Sequence, residues 1–148
     1  MKSTTAIFAL AGAVILAACS PAPKATLSME EAAEYYQEAA SAINAANQAN
    51  SDRWEEAFAT EDLTEITELC GEAAALVRSF TETLDARFWP REIEVQVNEV
   101  VVETEQEAAS YEACEAAADA EEIVAALDSL PEHDAAQELR GLLGLDAD

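Results

Sequence analysis

The 148-residue sequence predicts an all-α protein, a three-helix bundle with a short fourth helix at its C-terminal end. Three observations predict it. Past residue 18 the only glycines are Gly71, Gly141 and Gly144, so the chain has few places for tight turns. Ala and Glu, both strong helix formers, dominate the composition. Apolar residues recur at three- and four-residue steps over long stretches, the spacing that lays them along one face of a helix.

The first helix starts at Ser28-Met29-Glu30-Glu31, a capping box in which a Ser hydroxyl and a Glu carboxylate satisfy orphan amides reciprocally. Met29, Tyr36 and Ile43 then repeat at seven, with Ala32, Ala39 and Ala46 between them, and Trp54 and Phe58 extend the apolar face. The alanines let a neighbouring helix approach closely. Thr60 is the expected N-cap of the second helix, with Glu61 and Asp62 favourable in its first turn. Its periodicity is the clearest in the chain. Leu63, Cys70, Val77 and Leu84 make one heptad series, and Ile66, Ala73 and Phe80 the other. Gly71 is tolerated inside it at about 1 kcal/mol relative to Ala.

Phe88-Trp89-Pro90 ends that helix, with Trp89 as an apolar lid on the end of the bundle and Pro90 suited to the first position of the third helix. Ile93-Glu94-Val95-Gln96-Val97 alternates with period two, which is a strand signal. A helix is nevertheless expected. Ile93, Val97, Val100, Thr104, Glu107, Tyr111, Cys114 and Ala118 fit a 3.6-residue period, and no second segment offers a lone strand a partner. The third helix is expected to continue through Ile123 and Leu127 toward Leu130. Pro131 then opens the last helix, whose apolar side is Ala135, Leu139 and Leu142. No internal repeat and no second domain is visible.

Cys70 and Cys114 fall on apolar stripes of the second and third helices. In a hairpin turning at Trp89-Pro90 they lie 19 residues before and 24 residues after the turn, a mismatch of about 7 Å at 1.5 Å per residue. A turn centred nearer Glu92 removes it. A structural disulfide is the expected state, with two buried free thiols or a redox pair as alternatives. The redox pair lacks the C-x-x-C that lowers a thiol pKa. A bond closing a loop of 44 residues stabilises by about 3–4 kcal/mol in the chain-entropy model.

Most enzyme chemistries are absent. His133 is the only histidine and reads as a surface residue capping the last helix. A nucleophile–His arrangement has nothing else to use. There is no G-x-S-x-G elbow and no glycine-rich phosphate loop. The carboxylates lack calcium-loop spacing, and zinc needs more His or Cys. No catalytic residue, metal ligand or cofactor is therefore expected. Glu107 stands out because it lies on the apolar stripe of the third helix. Among the aromatics, Tyr36, Trp54, Trp89 and Tyr111 are candidate ligand-binding residues for a groove between helices, with core packing as the plainer reading.

The N-terminus gives an address. Lys2 precedes an uncharged apolar stretch over residues 6–16, too short to span a bilayer and the right length for a signal peptide. Leu16-Ala17-Ala18-Cys19 follows. This resembles the lipobox of bacterial lipoproteins, an aliphatic residue and two small ones before the cysteine that is diacylated. The alternative is an ordinary secretory signal with a chance cysteine. The resemblance implies a signal peptide over 1–18, a lipidated Pro-bearing tether over 19–27 and a helical domain over 28–148. It also implies an extracytoplasmic protein held to the cell membrane by lipid on Cys19, where paired cysteines tend to oxidise. Beyond it, Trp89-Pro90 and the segment from Ala135 to Leu145 resemble small helical actinobacterial lipoproteins without an established function, which implies no activity.

After residue 18 the chain carries 6 basic residues against 31 acidic ones, a formal charge of −25. Nucleic acid is excluded as a partner, because binding it needs basic surface. Two functions are expected. A non-catalytic interaction or accessory module, meeting a protein partner at the membrane surface, predicts an exposed apolar or aromatic patch. A carrier for a small solute or cation predicts a cavity lined by tyrosines or converging carboxylates.

Overall fold

The computed structural model describes residues 25–145, and within them the fold is helical throughout. Three long helices, α1 (Met29–Thr60), α2 (Leu63–Asp85) and α3 (Glu94–Glu115), pack as the bundle. Two short helices follow, α4 (Ala120–Leu127) and α5 (Asp134–Leu142). α4 and α5 both pack on α3, at its C-terminal and N-terminal parts respectively. The segment expected to be a signal peptide, the Leu16–Cys19 motif and Cys19 itself lie outside the described residues.

Local chemistry sets the helix starts. The capping box at Ser28 is present: Ser28 Oγ accepts from Glu31 N at 3.3 Å, and Glu31 Oε2 accepts from Ser28 N at 2.8 Å. Thr60 does not cap the second helix. It is the last residue of α1, its hydroxyl donating back to Glu56 O at 2.8 Å. Glu61 adopts a left-handed conformation at φ 55°, and Asp62 becomes the cap by accepting from Thr64 N and Glu65 N. The cap passed to Asp62 because α1 needs a residue outside the helix to close its C-terminus.

Pro90 likewise is not the first residue of the third helix. Its carbonyl accepts from Ile93 N at 3.1 Å in a turn, and α3 starts at Glu94. This delay centres the α2–α3 hairpin near residue 92 and brings Cys70 and Cys114 into register, bonded with Cα atoms 5.8 Å apart. The same register sets Thr81 Oγ1 to donate to Thr104 Oγ1 at 2.8 Å in the buried interface. The alternating Ile93–Val97 segment is helical from Glu94 onward, as its 3.6-residue pattern required.

The third helix stops sooner than expected. Asp119 accepts from Glu121 N and Glu122 N, while Glu122 reaches back to Ala118 N at 2.7 Å. These bonds favour a new helix start over continuation, so α4 is a separate helix. Pro131 also lies outside α5, which begins three residues later behind His133, held at φ 61°. Leu142 is 47% exposed, and Ala135 and Leu139 carry the packing of α5.

The core has two clusters. One joins Tyr36, Phe80, Leu84, Trp89, Ile93, Val97, Val100 and Leu139, around α5 and the α2–α3 turn. The other joins Ala57, Ile66, Leu69, the disulfide, Ile123 and Ala126 at the opposite end. Trp89 is the lid the sequence suggested: it is buried, and its Nε1–H donates to Leu84 O at 2.8 Å, at the C-terminal end of α2. The chain enters beside it. Leu27 N donates to Phe88 O at 2.9 Å, and Thr26 bridges Phe88, so the last residues of the expected tether are docked onto the bundle.

Candidate functional site

Between the two clusters α1 contributes no fully buried residue from Gln37 to Glu56. Its small and amide side chains there, Ala40, Asn44 and Asn47 among them, do not fill the space facing α3 and α5. A cleft of about 380 Å³ results. Tyr36 and Ile43 of α1, Phe80 of α2, and Val100, Glu103 and Glu107 of α3 line it. His133 and Arg140 close it from the α5 side.

The cleft's electrostatics are mixed. Glu103 Oε1 accepts from Ala135 N at 3.0 Å, while its Oε2 is buried and has no hydrogen-bond partner. Glu107 stands one turn further along α3. Burial pushes its carboxyl above the usual carboxylate range, and the attraction of His133, whose Nε2 lies 3.9 Å from Glu107 Oε1, works the other way. Burial also raises the Tyr36 phenol, with Arg140 pulling it down and Glu103 pushing it up. Tyr111, beyond Glu107, is raised by burial first and by Glu107 second.

A second concavity lies across α5. It is a groove of about 540 Å³ between α3 and α5, with Val95, Val102 and Ala135 on its apolar surface. Glu99, Glu103, Asp134 and Glu138 also line it. Val95 is 61% exposed and Val102 52% exposed. Glu103 lines both concavities, and α5 gives Asp134, Ala135 and Glu138 to the groove and Ala136 and Arg140 to the cleft, so the short helix α5 is the wall between them.

The four aromatic candidates do not form one groove. Tyr36 lines the cleft, but Trp89 is buried at the end of the bundle, edge-on to Tyr35 at 5.9 Å. Trp54 and Tyr111 pack against the disulfide-centred cluster at the far end, where Trp54 stacks on Phe58 at 5.6 Å. His133 occupies the N-cap position of α5, as expected, but makes no side-chain cap bond there. Glu103, Asn44 and Arg140 were not singled out by sequence. Glu103 had a signal, because it lies on the same face of the third helix as Val100 and Glu107. Among the described residues no group of three His, Cys, Asp or Glu is placed to hold a metal, and no helix is long and apolar enough to cross a membrane. No family model matches the chain, and neither a curated protein nor a solved structure matches it.

Proposed function

We propose that this chain is a lipid-tethered, extracytoplasmic, non-catalytic interaction module that receives a basic amphipathic helix of a protein partner at the membrane surface. The tether rests on the Leu16-Ala17-Ala18-Cys19 motif. The interaction rests on one observation, the α3–α5 groove with its exposed Val95 and Val102 among four acidic residues. Exposed valine is a poor choice for a helix surface, since it loses side-chain freedom there and keeps its methyls in water. A partner helix laid in the groove would cover those methyls, about 25 cal/mol for each Å² of apolar surface removed from water. Glu99, Asp134 and Glu138 would meet lysines or arginines flanking its apolar stripe, the helix-in-groove mode of recognition. The overall charge of the chain steers such a partner toward it.

The test is site-specific photo-crosslinking of the lipidated chain in its own membrane, from position 102 and from Ala75 on the exposed side of α2 as a control. The expected result is an adduct from position 102 that Val95→Glu abolishes, mapping to a basic amphipathic segment. An adduct equally strong from position 75, or one mapping to an acidic or extended segment, overturns the interaction reading. Cys19→Ala tests the tether separately: a variant that still fractionates with membranes overturns it.

A further inference from the structure

We propose that the α2–α3 turn, at the end of the bundle where the tether docks, is a membrane-contact surface. The Phe88 ring enters the headgroup region of a phospholipid bilayer, and the Arg91 guanidinium bonds a lipid phosphate. The proposal rests on the reading of Cys19 as the lipidated residue, and it is independent of the groove and its protein partner.

The first support is the distribution of charge. Residues 19–27 and 86–91 together hold Lys24, Arg87 and Arg91, half of the six cations that follow residue 18, and none of the 31 acids. The fold sets the two segments side by side, with Leu27 N donating to Phe88 O at 2.9 Å and Thr26 bridging Phe88. In a chain this acidic, such a surface is where a phosphate meets least repulsion. Asp85 and Glu92 bound the 86–91 segment, which confines the contact to the turn itself. Arg87 is held over the Tyr35 ring, 5.2 Å from its centroid, in a hollow shared with Glu31 and Glu34. Arg91, exposed in the turn, is therefore the cation for the phosphate, which its planar fork can bond at two oxygens.

The second support is Phe88, 54% exposed on a turn that cannot fold it inward. Trp89 and Pro90 beside it are buried, and its own carbonyl is held by Leu27 N, so the ring is fixed at the surface. A bulky aromatic next to basic residues suits the boundary between headgroups and acyl chains.

The length of the tether decides which end of the bundle meets the bilayer. Seven residues from Cys19 to Thr26 span at most about 25 Å. The 32 residues of α1 carry the opposite end away by about 48 Å. Phe58, also exposed, lies at that far end. Val95 comes only four residues after Arg91, so the α3–α5 groove opens close to the bilayer, and a partner helix in it would lie near the membrane surface.

The experiment uses the full lipidated chain in phosphatidylcholine nanodiscs that contain a lipid with a gadolinium-chelate headgroup. Amide relaxation is compared along the chain. Relaxation at Phe88 and Arg91 should be faster than at Glu61 and Asp62 by at least about threefold, because the turn sits in the headgroup region. Phe88→Ser combined with Arg91→Ser should level this profile while mass spectrometry shows the lipid on Cys19 and thermal unfolding shows an intact fold. A level profile in the lipidated wild type overturns the contact and leaves the tether standing. A profile led by Phe58, or one unchanged in the double variant, also overturns the contact. Absence of lipid on Cys19 overturns the tether reading and the proposal with it.

Discussion

Glu103 on α3 accepts a hydrogen bond from the backbone amide of Ala135, 3.0 Å away in the first turn of α5. A helix start normally has its amides satisfied by the side chain just before it. Here His133 holds that position in a left-handed conformation and makes no cap bond. A carboxylate from another helix does part of the work instead, and its negative charge also suits the positive end of the α5 dipole. The bond fixes α5, and α5 is what separates the cleft from the groove.

Glu103→Ala should therefore loosen α5 in particular. The expected loss is about 1–2 kcal/mol, the range for removing a helix-capping acceptor, read by urea unfolding. Amide hydrogen exchange should quicken at Gln137–Leu142 and stay unchanged in α2. Glu103→Gln keeps a neutral acceptor and should lose less. Uniform acceleration across the bundle would show that the bond has no local role.

The disulfide ties α2 to α3 inside the second core cluster. Cys70 and Cys114 are both fully buried, so each Cys→Ser leaves a hydroxyl among apolar neighbours in addition to opening a loop of 44 residues. Cys70→Ala with Cys114→Ala avoids the buried hydroxyls. It should lower unfolding stability by about 3–4 kcal/mol in the chain-entropy account. Unchanged mobility of the non-reduced protein after Cys70→Ser would show that the bond is not formed in solution.

The heptad stripe of α2, the capping box at Ser28 and the helical period of residues 94–115 were legible in the sequence, because each depends on side chains close together along the chain. The places where elements begin were less legible. Asp62 displaced Thr60 because the end of α1 claimed Thr60 and Glu61, and α3 started late because Pro90 was used in a turn. Asp119 ended the third helix through bonds of a kind sequence offers at many acidic positions. The cleft was legible only in Tyr36, a candidate aromatic, and in Glu107, a carboxylate out of place on an apolar stripe. Its other walls include Asn44, His133 and Arg140, which come from both ends of the chain and meet only because α5 folds back over α3. The groove was hidden for a related reason. Val95 and Val102 lie off the apolar stripe of the third helix, and only the placement of α5 beside them makes a groove.

Trp89 Nε1–H bonds Leu84 O at 2.8 Å inside the first cluster. Trp89→Phe keeps most of the apolar body and leaves that carbonyl without its indole partner. The expected loss is about 1–3 kcal/mol, the cost of a buried acceptor left unsatisfied together with a small packing defect. Thermal unfolding measures it. A loss close to zero would show that packing, and not the hydrogen bond, sets the role of this residue.

Glu107 gives the pH dependence a definite sign. Burial raises its folded-state pKa above that of an ordinary glutamate, so the folded chain holds this proton more tightly than the unfolded chain does. Between those two values the folded state binds more protons, and stability falls as pH rises. The contribution is favourable at the acid end, is lost through the raised pKa, and stays lost above it, with His133 reducing the loss. Exposed Glu31 and Glu72 act in the opposite direction, because their bonds to Ser28 and Arg53 lower their pKa values. Glu107→Gln isolates the buried group. The difference in unfolding free energy between the variant and the wild type should grow in the variant's favour from pH 4 upward and then level off. A difference that is flat across this range would show that Glu107 reaches solvent freely, and that the cleft does not bury its carboxylate.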